Sequence, residues 1–188
     1  MKLLPAIFSQ PVDRRKFCLD GALLIAMLAT RRGVAGGEAS KRDVSARTDS
    51  SYIYIATVRK DGSQSRAVPV WFITTAQSQI LIDTSAQSWK AKRIRRGSPA
   101  LVWIGSRSGP AFIGKAELVA DKAVQDAMIE QIPKKYLLAR IGLFNPKRPK
   151  FDAGQIVTIR VSPERDLPEG FQSQPGAPAP APEEKARS

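Results

Sequence analysis

Four side chains, Arg66, Thr84, Ser88 and Lys90, have the types that hold a phosphate, and they fall within one short stretch of the chain. Two cations and two hydroxyls can neutralise such a dianion through charge-assisted hydrogen bonds, with no metal ion. Ser88 also reads as the N-cap of a helix, and a helix start adds backbone donors and the positive end of its dipole. Taken singly, Arg66 is an ordinary solvent-facing strand arginine and Ser88 an ordinary cap. Their spacing with Lys90 points to an anion-holding corner. The chain has no histidine, and its one cysteine, Cys18, lies in an N-terminal leader. Zinc sites, imidazole-ligated haem, Ser-His or Cys-His nucleophiles and disulfides each need residues that the segment after the leader lacks. No metal site is expected, and redox or transfer chemistry must come from a bound cofactor.

The corner must be positioned by a β-rich framework. Tyr52–Val58 is dense in β-formers, and Asp61-Gly62 reads as a hairpin turn into a second strand, Ser65–Thr74. Further strands are expected at Gln79–Asp83, Ala100–Gly105, Ala111–Val119 and Gln155–Val161. Six strands with short connections favour an antiparallel barrel over a parallel sheet. A first helix runs from about Ser88 to Arg96 and stops at Gly97 and Pro99. A second, Lys122–Ile132, carries an apolar stripe of Ala123, Val124, Ala127, Met128 and Ile132 and is expected to end at Pro133.

The segments Arg66-Ala-Val-Pro-Val-Trp71, Asp83-Thr-Ser-Ala-Gln-Ser-Trp-Lys90 and Phe112-Ile-Gly-Lys-Ala-Glu117 resemble the pyridoxamine 5'-phosphate oxidase-like, FMN-binding split-barrel family, over roughly residues 51–163. The resemblance implies a mainly β fold with a few helices, a six-stranded antiparallel split β-barrel. It places Arg66, Thr84, Ser88 and Lys90 around the FMN phosphate, and Val68, Pro69, Val70 and Trp71 beside the flavin ring. It also implies a homodimer with the flavin at the subunit interface. Trp71 stands where the oxidases proper have a lysine, Gly109 aligns with a flavin-contacting glutamine, and the C-terminal oxidase segment with its Glu-Phe-Trp and Arg-Leu-His elements is missing. Vitamin B6 oxidation is therefore not assigned. Tyr136 and Arg140, four apart, are candidates for contact with an anionic small-molecule substrate or with the partner's flavin; a basic surface loop is the plain alternative.

Function divides three ways at this point. The leading reading is an FMN-dependent oxidoreductase, with a deazaflavin coenzyme as the alternative cofactor. A non-enzymatic cofactor-binding protein would keep the same phosphate corner. A polyanion-binding module is suggested by the net charge of +13 and by Lys92-Arg-Ile-Arg-Arg96, but no recognised nucleic-acid motif accompanies them, and no specific nucleic-acid partner is expected.

The remaining organisation lies at the ends. Asp13-Arg-Arg-Lys-Phe-Cys-Leu19, followed by an uncharged run from Gly21 to Thr30, resembles a twin-arginine export signal. That run falls short of the roughly 20 apolar residues a spanning helix needs. The expected organisation is a signal peptide over 1–39, a linker over 40–50, a flavin-binding split-barrel domain over 51–166 and a disordered Pro/Ala-rich tail over 167–188. The resemblance further implies passage through the twin-arginine machinery to the periplasm or another exported location.

Overall fold

The computed structural model describes residues 49–143 and 145–181. The leader, and with it the expected export signal and most of the linker, lies outside the described residues. Seven strands form one antiparallel sheet: β1 (Ile53–Thr57), β2 (Val68–Val70), β3 (Ile73–Thr74), β4 (Ile80–Ser85), β5 (Ala100–Ile104), β6 (Ala111–Val119) and β7 (Ile156–Asp166). Their spatial order is β2-β1-β5-β6-β7-β4-β3. The two edge strands, β2 and β3, are thus neighbours in sequence, separated only by Trp71 and Phe72. The sheet has to curl until its edges approach, which makes it a split barrel.

This arrangement corrects the expected strand count. The apolar run Ser65–Thr74 reads as one strand, yet it breaks at Trp71 and changes partner, from β1 through Ile55↔Val68 and Ile53↔Val70 to β4 through Ile73↔Leu81. Phe72, at the break, is fully buried. Strand β7 also runs past its expected end at Val161 to Asp166, because β6 pairs with it along its length. Gly114 allows this where the register shifts: a Cβ there would lie 2.6 Å from the Ser162 carbonyl oxygen and 2.9 Å from Val161 Cγ1. No other residue fits such a contact without moving the strand.

Alternation along the strands sends Ile53, Ile55, Ile80, Ile82, Val102, Ile159 and Val161 to the barrel interior, with Phe72 and Phe112. Helix α1 (Trp89–Arg95) adds Ile94 to the same cluster. Helix α2 (Lys122–Lys135) covers the outer face of β3 and β4 through Met128 and Ile132 against Ile73 and Leu81. It continues through Pro133 instead of ending there. A proline in the last turn removes only one intrahelical donor, and Ile132 and Tyr136, buried on either side of it, hold that turn against the sheet. Two short helices unforeseen from the sequence follow, α3 (Leu137–Arg140) and α4 (Arg148–Asp152).

The third cluster explains a further correction. All five residues of β5, Ala-Leu-Val-Trp-Ile, are buried, so both of its faces need cover. The outer face, with Leu101 and Trp103, is covered by Leu167 and Phe171 from the segment expected to be disordered. Trp103 Nε1 donates to the Phe171 carbonyl at 2.7 Å, and the two rings stack with centroids 6.0 Å apart. Farther on, Gln64 N donates to Ala177 O at 2.8 Å and Ala179 N to Gly62 O at 2.9 Å. Residues 167–181 are a strap over the sheet, tied down by backbone groups that Pro/Ala composition does not reveal.

Candidate functional site

The break between β2 and β3 lies beside a cavity of about 370 Å³ lined by Tyr52, Pro69, Val70, Trp71 and Asp83. Three of the residues expected beside a flavin ring, Pro69, Val70 and Trp71, are thus brought to one hollow. Val68 packs against the barrel core, as Val70 also does on one side. Among the described residues strand β2 is an edge, with no strand partner on its outer side. Pro69 suits that place, since a missing N–H costs least at an edge.

The wall behind Trp71 is Tyr136, whose ring stacks on the indole with centroids 4.7 Å apart and planes 11° from parallel. The Tyr136 hydroxyl accepts from Phe72 N and donates to Phe72 O, both at 3.0 Å. Those two backbone groups belong to the strand break and have no ladder to join, so the phenol satisfies them. Burial pushes this phenol up to about 12, although the bond to Phe72 opposes the shift. Tyr136 is thus buried, with its hydroxyl committed to Phe72. Arg140, at the end of α3, is exposed.

At the other end of the cavity, β4 leads into α1. Thr84 Oγ1 donates to Ser88 Oγ at 3.3 Å, and Ser88 Oγ accepts from Ala91 N at 3.2 Å as the helix cap. Lys90, in the first turn of α1, is half-buried. Burial lowers its ammonium pKa, while the Asp83 carboxylate raises it. Burial likewise pushes the Asp83 carboxyl up, against its own backbone N–H, Lys90 and Lys150. Thr84 and Ser88 are thus joined where β4 leads into α1, and Lys90 stands near Asp83, which lines the cavity. Arg66, just before β2, is exposed; beside it Ser65 is buried and bonded through its hydroxyl to Thr57 N at 2.9 Å. Neither Asp83 nor Tyr52 was singled out from the sequence. The signal for Asp83 was available: an acid that interrupts the apolar strand Ile80-Leu-Ile one residue before Thr84.

Gly109, at the expected glutamine position, sits in the β5–β6 turn, where Ile104 N donates to Pro110 O. A Cβ there would lie 2.1 Å from the Ile104 carbonyl oxygen. Only glycine fits, so no side chain reaches a cofactor from this position. A second hollow of about 360 Å³ lies between Ile73, Thr74, Gln131, Lys134 and Lys135. There the Lys135 ammonium stands 3.6 Å from the centre of the Phe72 ring, and burial lowers its pKa to about 8 against the pull of Asp49.

The family model for pyridoxamine 5'-phosphate oxidase matches residues 41–165, most of the chain. The chain belongs to this pyridoxamine 5'-phosphate oxidase-like split-barrel family. Solved structures to which the chain is similar include a pyridoxamine 5'-phosphate oxidase-type protein from Listeria innocua, 16% identical with a TM-score of 0.53, covering 69% of this chain and 97% of that one. A conserved hypothetical protein from Mycobacterium tuberculosis is 22% identical with a TM-score of 0.50, over 79% of this chain and 98% of its own. An FAD and heme binding protein from Mycobacterium smegmatis is 18% identical with a TM-score of 0.50, over 79% and 89%. At these identities the likeness is one of fold. No curated protein matches the sequence.

Proposed function

We propose that this family member is an exported FMN-dependent oxidoreductase acting on a small molecule, with the cofactor phosphate held by Arg66, Thr84, Ser88 and Lys90. The observation that carries the reading is the hollow along β2, lined by Pro69, Val70 and Trp71, next to the strand end where the Thr84 and Ser88 hydroxyls are hydrogen-bonded and Lys90 stands near Asp83. The donor set fits a flavin phosphate: a half-buried ammonium with a half-buried carboxylate partner, two hydroxyls joined by a hydrogen bond, and an exposed guanidinium that can swing toward an anion. The open backbone edge of β2 offers polar contacts to a ring laid along it, and Trp71 an apolar face. A bound flavin supplies the hydride or electron chemistry that no side chain of a histidine-free domain offers. Arg66 and Lys90 bind, Trp71 with Tyr136 behind it excludes water, and Tyr136 keeps the break in shape.

Titration of the purified full chain with FMN and with riboflavin tests this. FMN is expected to bind the more tightly, and Arg66→Ala and Lys90→Ala each to weaken it about ten- to hundredfold, the size of a lost charge-assisted contact. Riboflavin affinity should change little. Equal affinity of the wild type for the two ligands removes the phosphate assignment. The mass of any cofactor that copurifies separates FMN from a deazaflavin, and a steep salt dependence without either would return the polyanion reading. For export, Arg14 and Arg15 both changed to lysine should abolish processed protein outside the cytoplasm in a fractionation experiment. Unchanged accumulation there rejects this route.

A further inference from the structure

The hollow between β3 and α2 holds a charge that its surroundings do not pair. Its lining includes Ile73 and Thr74 from the strand and Gln131, Lys134 and Lys135 from the last turns of the helix. The two lysines differ. Lys134 is answered on its own helix, with its ammonium 2.5 Å from the Glu130 carboxylate and both side chains largely exposed. Lys135 is half-buried, and its ammonium meets two aromatic rings, 3.6 Å from the centre of Phe72 and 5.6 Å from that of Tyr136. Among the described residues no carboxylate stands within ion-pair distance of it, and Asp49 acts on it only through space. Aromatic rings attract the cation but leave its N–H groups without a proper acceptor. Thr74, which also lines the hollow, has a buried hydroxyl with no hydrogen-bond partner among the described residues.

A partly desolvated ammonium without a bonded counter-ion is costly, and an anion that fits beside it relieves the cost. We propose that this hollow binds a small monocarboxylate with an apolar body, whose oxygens accept from the Lys135 ammonium and the Gln131 amide while its hydrocarbon part lies against Ile73. About 360 Å³ is room for a small molecule. One free ammonium matches one negative charge; a phosphate dianion needs a second, and Lys134 is engaged with Glu130. The hollow shares no described lining residue with the one along β2, so the inference does not rest on the flavin reading. Binding is linked to protons. Burial holds the free ammonium's pKa at about 8, and a carboxylate bound to it raises that value. The other charged groups about it are Asp49, Lys134 and Glu130, and the Tyr136 phenol, pushed up to about 12, stays neutral across the range. Affinity is thus full below about pH 8 and falls as the pH rises through it, where binding must take up a proton.

Isothermal titration of the full chain in low-salt buffer is the test, with benzoate and its neutral isostere benzamide as probes. Benzoate is expected to bind about tenfold or more tightly than benzamide at pH 7, and Lys135→Met to remove that preference. Lys134→Met, which takes away a cation of the same helix turn, should change benzoate affinity less than about threefold. Equal losses in the two variants would mean attraction to the general basic surface and would overturn the proposal. The wild type supplies a readout that needs no variant. Titrations in buffers of different ionisation enthalpy should show proton uptake on benzoate binding at pH 9 and none at pH 6. Benzoate affinity that is flat from pH 6 to 9, or benzoate and benzamide bound alike, overturns the site. Repeating the benzoate titration after incubation with excess FMN should leave its affinity unchanged; competition between the two overturns a separate site, whereas absence of FMN binding with the benzoate preference intact counts against the flavin reading alone.

Discussion

Tyr136 illustrates how a residue can serve a site without touching its ligand. Its hydroxyl closes both backbone groups of Phe72, and its ring backs Trp71. Tyr136→Phe keeps the ring and leaves a buried N–H and C=O unpaired, which costs about 2 to 6 kcal/mol at one to three per orphaned group. Urea unfolding should show this loss; a change under about 0.5 kcal/mol means that the Phe72 groups find other partners. Lys135 gives the pH counterpart. Its folded pKa, about 8, lies below the ordinary 10.5, so between these values the native protein binds fewer protons than the unfolded chain. Stability from this group therefore rises with pH across that window. Lys135→Met is expected to be the more stable protein at neutral pH and to lose that advantage by about pH 10.5, in paired melts of the two proteins. The advantage is reduced by the Phe72 ring, which favours the charged amine, and by partial solvent exposure. Types and spacing were enough to indicate the Ser88 cap, because a cap is a local feature. The role of Tyr136 was not legible, since it depends on a backbone break sixty-four residues away.

The elements divide along the same line. The hairpin at Asp61-Gly62 was legible because its turn chemistry is local: Gly62 has φ +79, and the Asp61 carboxylate accepts from Ser63 N at 3.0 Å. The start of α1 at Ser88 was legible for the same reason. The split of Ser65–Thr74 into β2 and β3 was not, because a run of β-formers does not say that its halves pair with opposite edges of the sheet. Composition also misjudged the tail, whose anchoring comes from backbone groups and from one ring, Phe171, over Trp103. Phe171→Ala should cost about 1 to 3 kcal/mol, below the value for a fully buried phenylalanine because this one is half-exposed. The Phe171 carbonyl bond to Trp103 survives the change, so a chain ended after Asp166 should lose more than the point variant. Limited proteolysis offers a second view: wild-type residues 167–181 should resist cleavage, and prompt removal of this segment with no loss of thermal stability would mean that the strap contributes nothing.

For the molecule as a whole, the surface leaves an apolar stretch uncovered. Leu137 and Ile141 are 67% and 65% exposed, and Leu138 and Leu143 lie exposed beside them. These residues adjoin Tyr136 and thus the back wall of the cavity, and a contiguous exposed patch of large aliphatics marks an interaction surface more often than a bare one. A second copy of the chain is the proposed occupant, in line with the interfacial flavin that the family resemblance implies. In a two-fold dimer the same patch meets itself, and here that brings the basic residues Arg140 and Lys147 of both copies together. Residues 131–151 contain six Lys or Arg and no acid. Opposed charges of one sign weaken such a dimer at low salt and are screened over about 10 Å at 0.1 M. The flavin-saturated protein is therefore expected to be dimeric by light scattering, to dissociate less as sodium chloride rises, and to become monomeric in a Leu137→Glu, Ile141→Glu variant that keeps its fold. A phosphate-bearing cofactor should act as salt does, by placing negative charge between the basic segments. A wild-type protein that stays monomeric at concentrations well above its cofactor dissociation constant, at any ionic strength, excludes the shared site and leaves the hollow along β2 to be completed within a single chain.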